Sequence, residues 1–121
     1  MVKARPRHPV LEARAREWSP GTSLVECSGE VDIETAPRFR EALDEGIGRR
    51  PRRLILDLSG VQFMDSVGVG HIVSVYKRLR PGVRLQICTR SPHIRMLLEM
   101  AGLNGVSSLH ASLAEALQAA E

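Results

Sequence analysis

Aromatic side chains are scarce in this chain: Trp18, Phe39, Phe63 and Tyr76 are the only four in 121 residues. They are too scattered to form the stacking platform that single-stranded nucleic-acid binders use. Cysteine is scarcer still. Cys27 and Cys88 show neither C-x-x-C spacing nor clustered histidines, which excludes a disulfide framework and a zinc site and leaves two buried thiols as the expectation. No apolar run approaches the roughly 20 residues of a bilayer-crossing helix, so no membrane insertion is expected. The basic start Met1–His8 is followed by no apolar stretch. A secretory signal is thereby excluded and a cytoplasmic location expected.

Catalytic constellations are missing as well. His8, His71, His93 and His110 stand alone and far apart, without the ligand spacing of a metal-dependent hydrolase. Ser66 lies in Met64-Asp65-Ser66-Val67-Gly68, which lacks the first glycine of a G-x-S-x-G elbow, and no histidine is placed as its base. Gly68-Val69-Gly70 offers only half of a dinucleotide fingerprint, and no phosphate-cradling lysine follows. A short domain without nucleophile, base or metal cluster reads as a binding module sooner than as an enzyme.

What is present fits one soluble domain, with 43% hydrophobic and 26% charged residues. Residues 1–10 read as a basic, flexible arm and residues 11–121 as the domain. The net charge of +3 rests almost wholly on arginine, since Lys3 and Lys77 are the only lysines. Arg49, Arg50, Arg52 and Arg53 around Pro51 form the densest cluster and read as a solvated loop before a strand. A small nucleic-acid module built on that loop is a remote alternative. It predicts salt-dependent retention on DNA or RNA that is lost in Arg49→Ala and Arg50→Ala.

Turn signals divide the chain regularly. Ser19–Ser23 separates Leu11–Trp18 from Leu24–Val31, which reads as a hairpin of two half-buried strands. Thr35 is a candidate N-cap with Pro37 in the first turn, and Phe39, Ala42, Leu43 and Ile47 recur at helical spacing until Gly46 or Gly48. Leu54–Leu58 reads as a central strand broken by Ser59-Gly60. A helix from Ser66 to Arg80 follows, with Ile72, Val73, Tyr76 and Leu79 as its face and Pro81-Gly82 as its stop. Val83–Cys88 is a strand. Ser91-Pro92 starts a helix with the stripe Ile94, Leu97, Leu98 and Ala101, and Val106–Leu109 is a short strand. Ser112-Leu113-Ala114-Glu115 is a capping box opening a last helix with Leu113, Ala116, Leu117 and Ala120 inward. The fold expected is α/β, in the order β-β-α-β-α-β-α-β-α: a mixed sheet with an opening antiparallel hairpin, later strands parallel, and helices packed on it.

Ser66 stands out. It follows the central strand, an intervening loop and an exposed-looking Phe63-Met64-Asp65, and it opens a helix. Asp65 or Ser66 serves as an ordinary N-cap on the plainest reading. A phosphate there would add about −1.5 to −2 charge, which a helix N-terminus tolerates and a docked partner does not.

Leu54-Ile55-Leu56-Asp57-Leu58-Ser59-Gly60-Val61-Gln62-Phe63-Met64-Asp65-Ser66-Val67-Gly68-Val69-Gly70, together with Gly29-Glu30-Val31-Asp32 and Thr35-Ala36, resembles the STAS domain of bacterial anti-sigma factor antagonists. The resemblance spans roughly Leu11 to Leu117. It implies a chain that binds a serine-kinase anti-sigma factor and so releases a sigma factor, is switched off by phosphorylation of Ser66 in D-S-x-G, and is reset by a serine phosphatase. Asp32 and Asp65 would lie beside Ser66, with Thr35, Met64, Val67 and Gly68 shaping the docking surface. The kinase would supply ATP, Mg²⁺ and the catalytic base, so the resemblance implies no cofactor for this chain, and no direct contact with nucleic acid is expected. Val67 is bulkier than the small residue common after the phospho-acceptor, and His71 stands where a small or apolar residue is common; such departures would alter which kinase is recognised, while His71 itself reads as a surface or partly buried side chain with no assigned role. STAS domains also serve membrane transporters, so an alternative is a subunit that binds a transporter or its ATPase.

Overall fold

The computed structural model describes residues 10–119. The basic arm, apart from Val10, and Ala120 at the end of the last stripe therefore lie outside the described residues. The element order is β1 (Leu11–Ser19), β2 (Thr22–Val31), α1 (Ala36–Gly48), β3 (Arg53–Met64), α2 (Ser66–Arg78), β4 (Arg84–Cys88), α3 (Pro92–Met100), β5 (Ser108–His110) and α4 (Leu113–Gln118), with a 3₁₀ turn at Leu103–Gly105. The five strands line up in sequence order. β1 runs antiparallel to β2, and the pairs β2–β3, β3–β4 and β4–β5 are parallel.

Each parallel step needs a crossover, and α1, α2 and α3 supply them on one face of the sheet. Phe39 and Leu43 of α1, Val69, Ile72 and Val75 of α2, and Ile94 and Leu98 of α3 pack there on Val25, Leu54, Leu56, Leu85 and Ile87. The opposite face carries a smaller cluster, Leu24, Ile55 and Cys88, covered by Ala116 with Leu113 and Leu117 of α4. β2 is thus covered on both faces over Leu24 and Val25, not half-buried as the alternation suggested. Its place between β1 and β3 decides this.

Several local expectations are corrected. Ser59-Gly60 does not end the central strand: β3 continues to Met64, and its register with β2 shifts between Glu26 and Ser28 and again between Gly29 and Glu30. The signal was real but marks a bulge. A Cβ on Gly60 would lie 2.7 Å from Ser28 Cβ, so the bare glycine lets the strands stay paired. On α2 the buried positions are Gly68, Val69, Ile72 and Val75, whereas Tyr76 is exposed and Val73 and Leu79 are half-buried. Apolar residues surround this helix, and the packing of α1 and α3 selects the face. Ala101 is exposed beyond the end of α3, and Val106 precedes β5 and is exposed.

The termini follow the capping rules closely. Ser91 Oγ accepts from Ile94 N–H at 3.1 Å, and Ser112 Oγ accepts from Glu115 N–H at 3.1 Å while Glu115 Oε1 accepts from Ala111 N–H at 3.0 Å. Gly46 lies inside α1, Gly48 ends it, and the left-handed residue beyond is Arg50 at φ 53°. Arg53 leaves the solvated loop altogether: it begins β3 and its guanidinium reaches Gln86 Oε1 at 2.6 Å and the Ala116 carbonyl at 2.8 Å. Cys27 and Cys88 are free, buried, and on opposite faces of the sheet, and burial pushes both thiols up to about 12.

Candidate functional site

Parallel strands β2 and β3 end side by side, and open α/β sheets gather their sites at such carboxyl ends. Val31 pairs with Met64, and Asp65 N–H extends the ladder to the Val31 carbonyl at 3.2 Å. Asp32 and Asp65 are therefore the next residues after paired strand ends, and each opens a turn into a helix. The site consists of these two junctions.

The first junction is locked by its own side chains. Thr35 is buried, and its hydroxyl donates to the Glu30 carbonyl at 2.8 Å and accepts from Asp32 N–H at 3.0 Å. Asp32 Oδ1 accepts from Glu34 N–H at 2.9 Å and Thr35 N–H at 3.1 Å. Thr35 occupies the N-cap position of α1 as expected, but its hydroxyl caps no helix N–H; it ties the loop back to β2. This reciprocal pair presents Ile33 at the loop tip with 74% of its surface exposed. Gly29, at φ +115°, stands where a Cβ would come within 2.1 Å of the Val10 carbonyl, so the first residue of the Gly-Glu-x-Asp run has to be glycine.

The second junction holds Ser66. Asp65 is the N-cap of α2, its Oδ1 accepting from Val67 N–H at 3.0 Å. Ser66 is then the first helical residue and is exposed, and its Oγ forms no hydrogen bond among the described residues. No intervening loop separates β3 from α2, contrary to the expectation. Phe63 is exposed, but Met64 is fully buried, because strand alternation points it under the helix and not out to solvent. Gly68 is buried above it, where a Cβ would lie 2.8 Å from Met64 Cγ and 2.7 Å from Val31 Cγ1. Met64 and Gly68 thus set the height of the α2 N-terminus from below, and the surface itself belongs to Asp32, Ser66 and Val67.

Along Val67, the residue after Ser66, runs an open groove of about 510 Å³ between α1 and α2, lined also by Ile33, Ala36 and Pro37, with Arg40, Asp44 and His71 among its polar walls. Sequence reasoning missed Ile33 and assigned nothing to His71. A bare β-branched side chain inside the polar run Asp32–Thr35 was the available signal. Burial, then the Arg40 guanidinium, hold the His71 pKa below the usual histidine range, while Asp44 pulls the other way. Among the described residues no group of three or more His, Cys, Asp or Glu is placed to hold a metal ion.

The STAS domain family model matches residues 14–116. The chain belongs to the STAS domain family. The anti-sigma F factor antagonist of Paenibacillus polymyxa is 35% identical over 99 residues, covering 80% of this chain and 85% of that protein. Among solved structures, an anti-sigma factor antagonist from Mycobacterium paratuberculosis superposes with a TM-score of 0.81 at 30% identity, covering 89% of this chain and 92% of that one. The STAS fold is also shared with SpoIIAA in its unphosphorylated form, with a TM-score of 0.72 at 22% identity over 88% of this chain and 93% of that one. The phosphorylated form of the Bacillus protein gives 0.68 at 22% identity over 88% and 96%. In this STAS domain the strand, Asp-Ser-x-Gly run and Gly-Glu-x-Asp run named from the sequence meet at one end of the sheet.

Proposed function

We propose that this chain is an anti-sigma factor antagonist: it binds a serine-kinase anti-sigma factor, frees a sigma factor, loses its grip when Ser66 is phosphorylated, and recovers when a serine phosphatase removes the phosphate. It acts by binding and not by catalysis. The observation that carries the reading is the exposed Ser66 hydroxyl, unengaged among the described residues, at the first position of α2 beside the Asp65 cap.

Phosphoryl transfer needs little from the acceptor beyond a reachable hydroxyl. The kinase brings ATP, Mg²⁺ and the base that takes the Ser66 proton; Oγ bonds to the γ-phosphorus, the bond to the bridging oxygen breaks, and ADP leaves. The fold should tolerate the product. An anion at a helix N-terminus is favoured by roughly 0.3–1 kcal/mol at an exposed position. The docked complex should not tolerate it. About −1.5 to −2 charge beside Asp65, on a surface that docking desolvates, meets like charge and loses hydration. A thousandfold loss of affinity corresponds to about 4 kcal/mol, within reach of one charge in an interface.

Other features agree. Ile33, exposed and lining the α1–α2 groove with Val67, offers a partner an apolar anchor. Arg53 is engaged with Gln86 and Ala116, which removes one cation from any nucleic-acid surface on the Arg49–Arg53 loop. No helix among the described residues is long and apolar enough to cross a membrane. The test is a titration of the cognate anti-sigma factor against unmodified and Ser66-phosphorylated protein. Phosphorylation is expected to weaken binding at least about a hundredfold, some 2.7 kcal/mol. Equal affinities, or a transporter ATPase that binds both forms alike, would refute the reading.

A further inference from the structure

On the face of the sheet opposite Ser66, α4 is held by a buried polar chain whose hydrogen positions are fixed by its own ends. Gln86 is fully buried on β4. Its Oε1 faces Arg53 Nε at 2.6 Å, an atom that only donates, and its Nε2 faces the Ala116 carbonyl of α4 at 2.9 Å, an atom that only accepts. The amide can therefore point only one way. Its second N–H then meets His110 Nε2 at 3.2 Å, and that ring nitrogen has to be the acceptor. Ser108 Oγ, 2.9 Å from the same nitrogen, suits either tautomer and does not decide the matter. His110 is thus neutral, with its proton on Nδ1, 3.8 Å from Glu115 Oε1 of α4.

We propose that His110 makes the docking of α4 pH-sensitive: protonation at Nε2 sets an N–H against the Gln86 amide, which has no free orientation, and loosens α4 from Leu24, Ile55 and Cys88. The surrounding charges bear this out. Burial is the main cause that holds the His110 pKa below the usual histidine range; Glu115 on α4 opposes it, and Arg84 on β4, Arg53 on β3 and Arg95 on α3 reinforce it. Glu115 is more than half exposed, so solvent screens its pull. The neighbouring Cys88 stays a neutral thiol, its pKa raised to about 12. A lowered pKa in the docked state means that α4 is fully secured above the free histidine value and released as pH falls below it. The open fraction rises by up to about tenfold per pH unit until the docked pKa is reached.

The experiment is amide hydrogen exchange of the full chain at about pH 7.5 and about pH 5.5, corrected for intrinsic exchange and referred to α1. Protection of α4 is expected to fall severalfold or more at the lower pH in the parent protein and to be pH-independent in His110→Gln. Unchanged α4 protection in the parent overturns the proposal. Should His110→Gln not fold, ¹⁵N spectra of the parent imidazole decide alone. An unprotonated Nε2 at about pH 7.5 and a pKa below 6.5 support the latch, and a protonated Nε2 or a pKa at or above that value refutes it.

Discussion

Two glycines of α2, two residues apart, should respond to the same substitution with opposite sign. Alanine in place of a helical glycine gains about 0.5–1 kcal/mol, because the chain loses less backbone freedom on folding. At Gly70, exposed and with nothing within 4 Å of an added Cβ, that gain should appear undiminished. At Gly68 the added Cβ would stand 2.7 Å from Val31 Cγ1 and 2.8 Å from Met64 Cγ, inside real contact distance, and both neighbours are fully buried. Val31 is short and stiff, and the clash with Met64 falls mid-chain, so neither can swing away; overpacking of this kind costs about 1–3 kcal/mol. Gly68→Ala should therefore be net destabilising by roughly 1 kcal/mol. The difference between the two variants, about 1–3 kcal/mol, isolates the clash because the helix gain cancels. Urea titrations at matched slope give both numbers, and in a domain of this size 1 kcal/mol moves Tm by about 4 °C. Coincident melting curves would refute the view that Met64 and Gly68 set the height of the Ser66 helix.

Thr35→Val keeps the shape but leaves the Glu30 carbonyl and Asp32 N–H without the hydroxyl, and should cost about 2–3 kcal/mol by denaturation. Asp65→Ala removes the N-cap acceptor of Val67 N–H and should cost about 1 kcal/mol, whereas Ser66→Ala, which breaks no hydrogen bond among the described residues, should melt within about 0.5 kcal/mol of the parent. Cys27 and Cys88, with pKa raised to about 12 by burial, stay protonated at neutral pH; native protein should resist thiol alkylation, and labelling as fast as in denaturant would contradict their burial.

Where the sequence carries a local physical signal, the structure follows it. Ser91 and Ser112 cap helices because their side chains satisfy N–H groups a few residues on, and a reader of the chain sees both. The hairpin turns at Pro20-Gly21, with Gly21 in the left-handed region at φ 83°. The Ser66 helix start was legible from Asp-Ser-x-Gly after an apolar strand. Tertiary neighbours decide the rest. Met64 and Phe63 are both apolar, and only the strand's alternation in its final register says which one is buried. The face of α2 depends on which of its many valines α1 and α3 cover. Arg53 looked like the last of four loop arginines, yet pairing with Arg84 and Thr22 makes it the first residue of β3 and part of the α4 anchorage. Ile33 belongs to a turn whose polar residues mask it.

The proposed Ser66 switch is tested by the intact mass of the protein after incubation with ATP, Mg²⁺ and the serine kinases of its own organism, with Ser66→Ala in parallel. A single added phosphate is expected in the parent protein and none in Ser66→Ala. A phosphate that persists in Ser66→Ala, or a parent protein that no such kinase modifies, would contradict it.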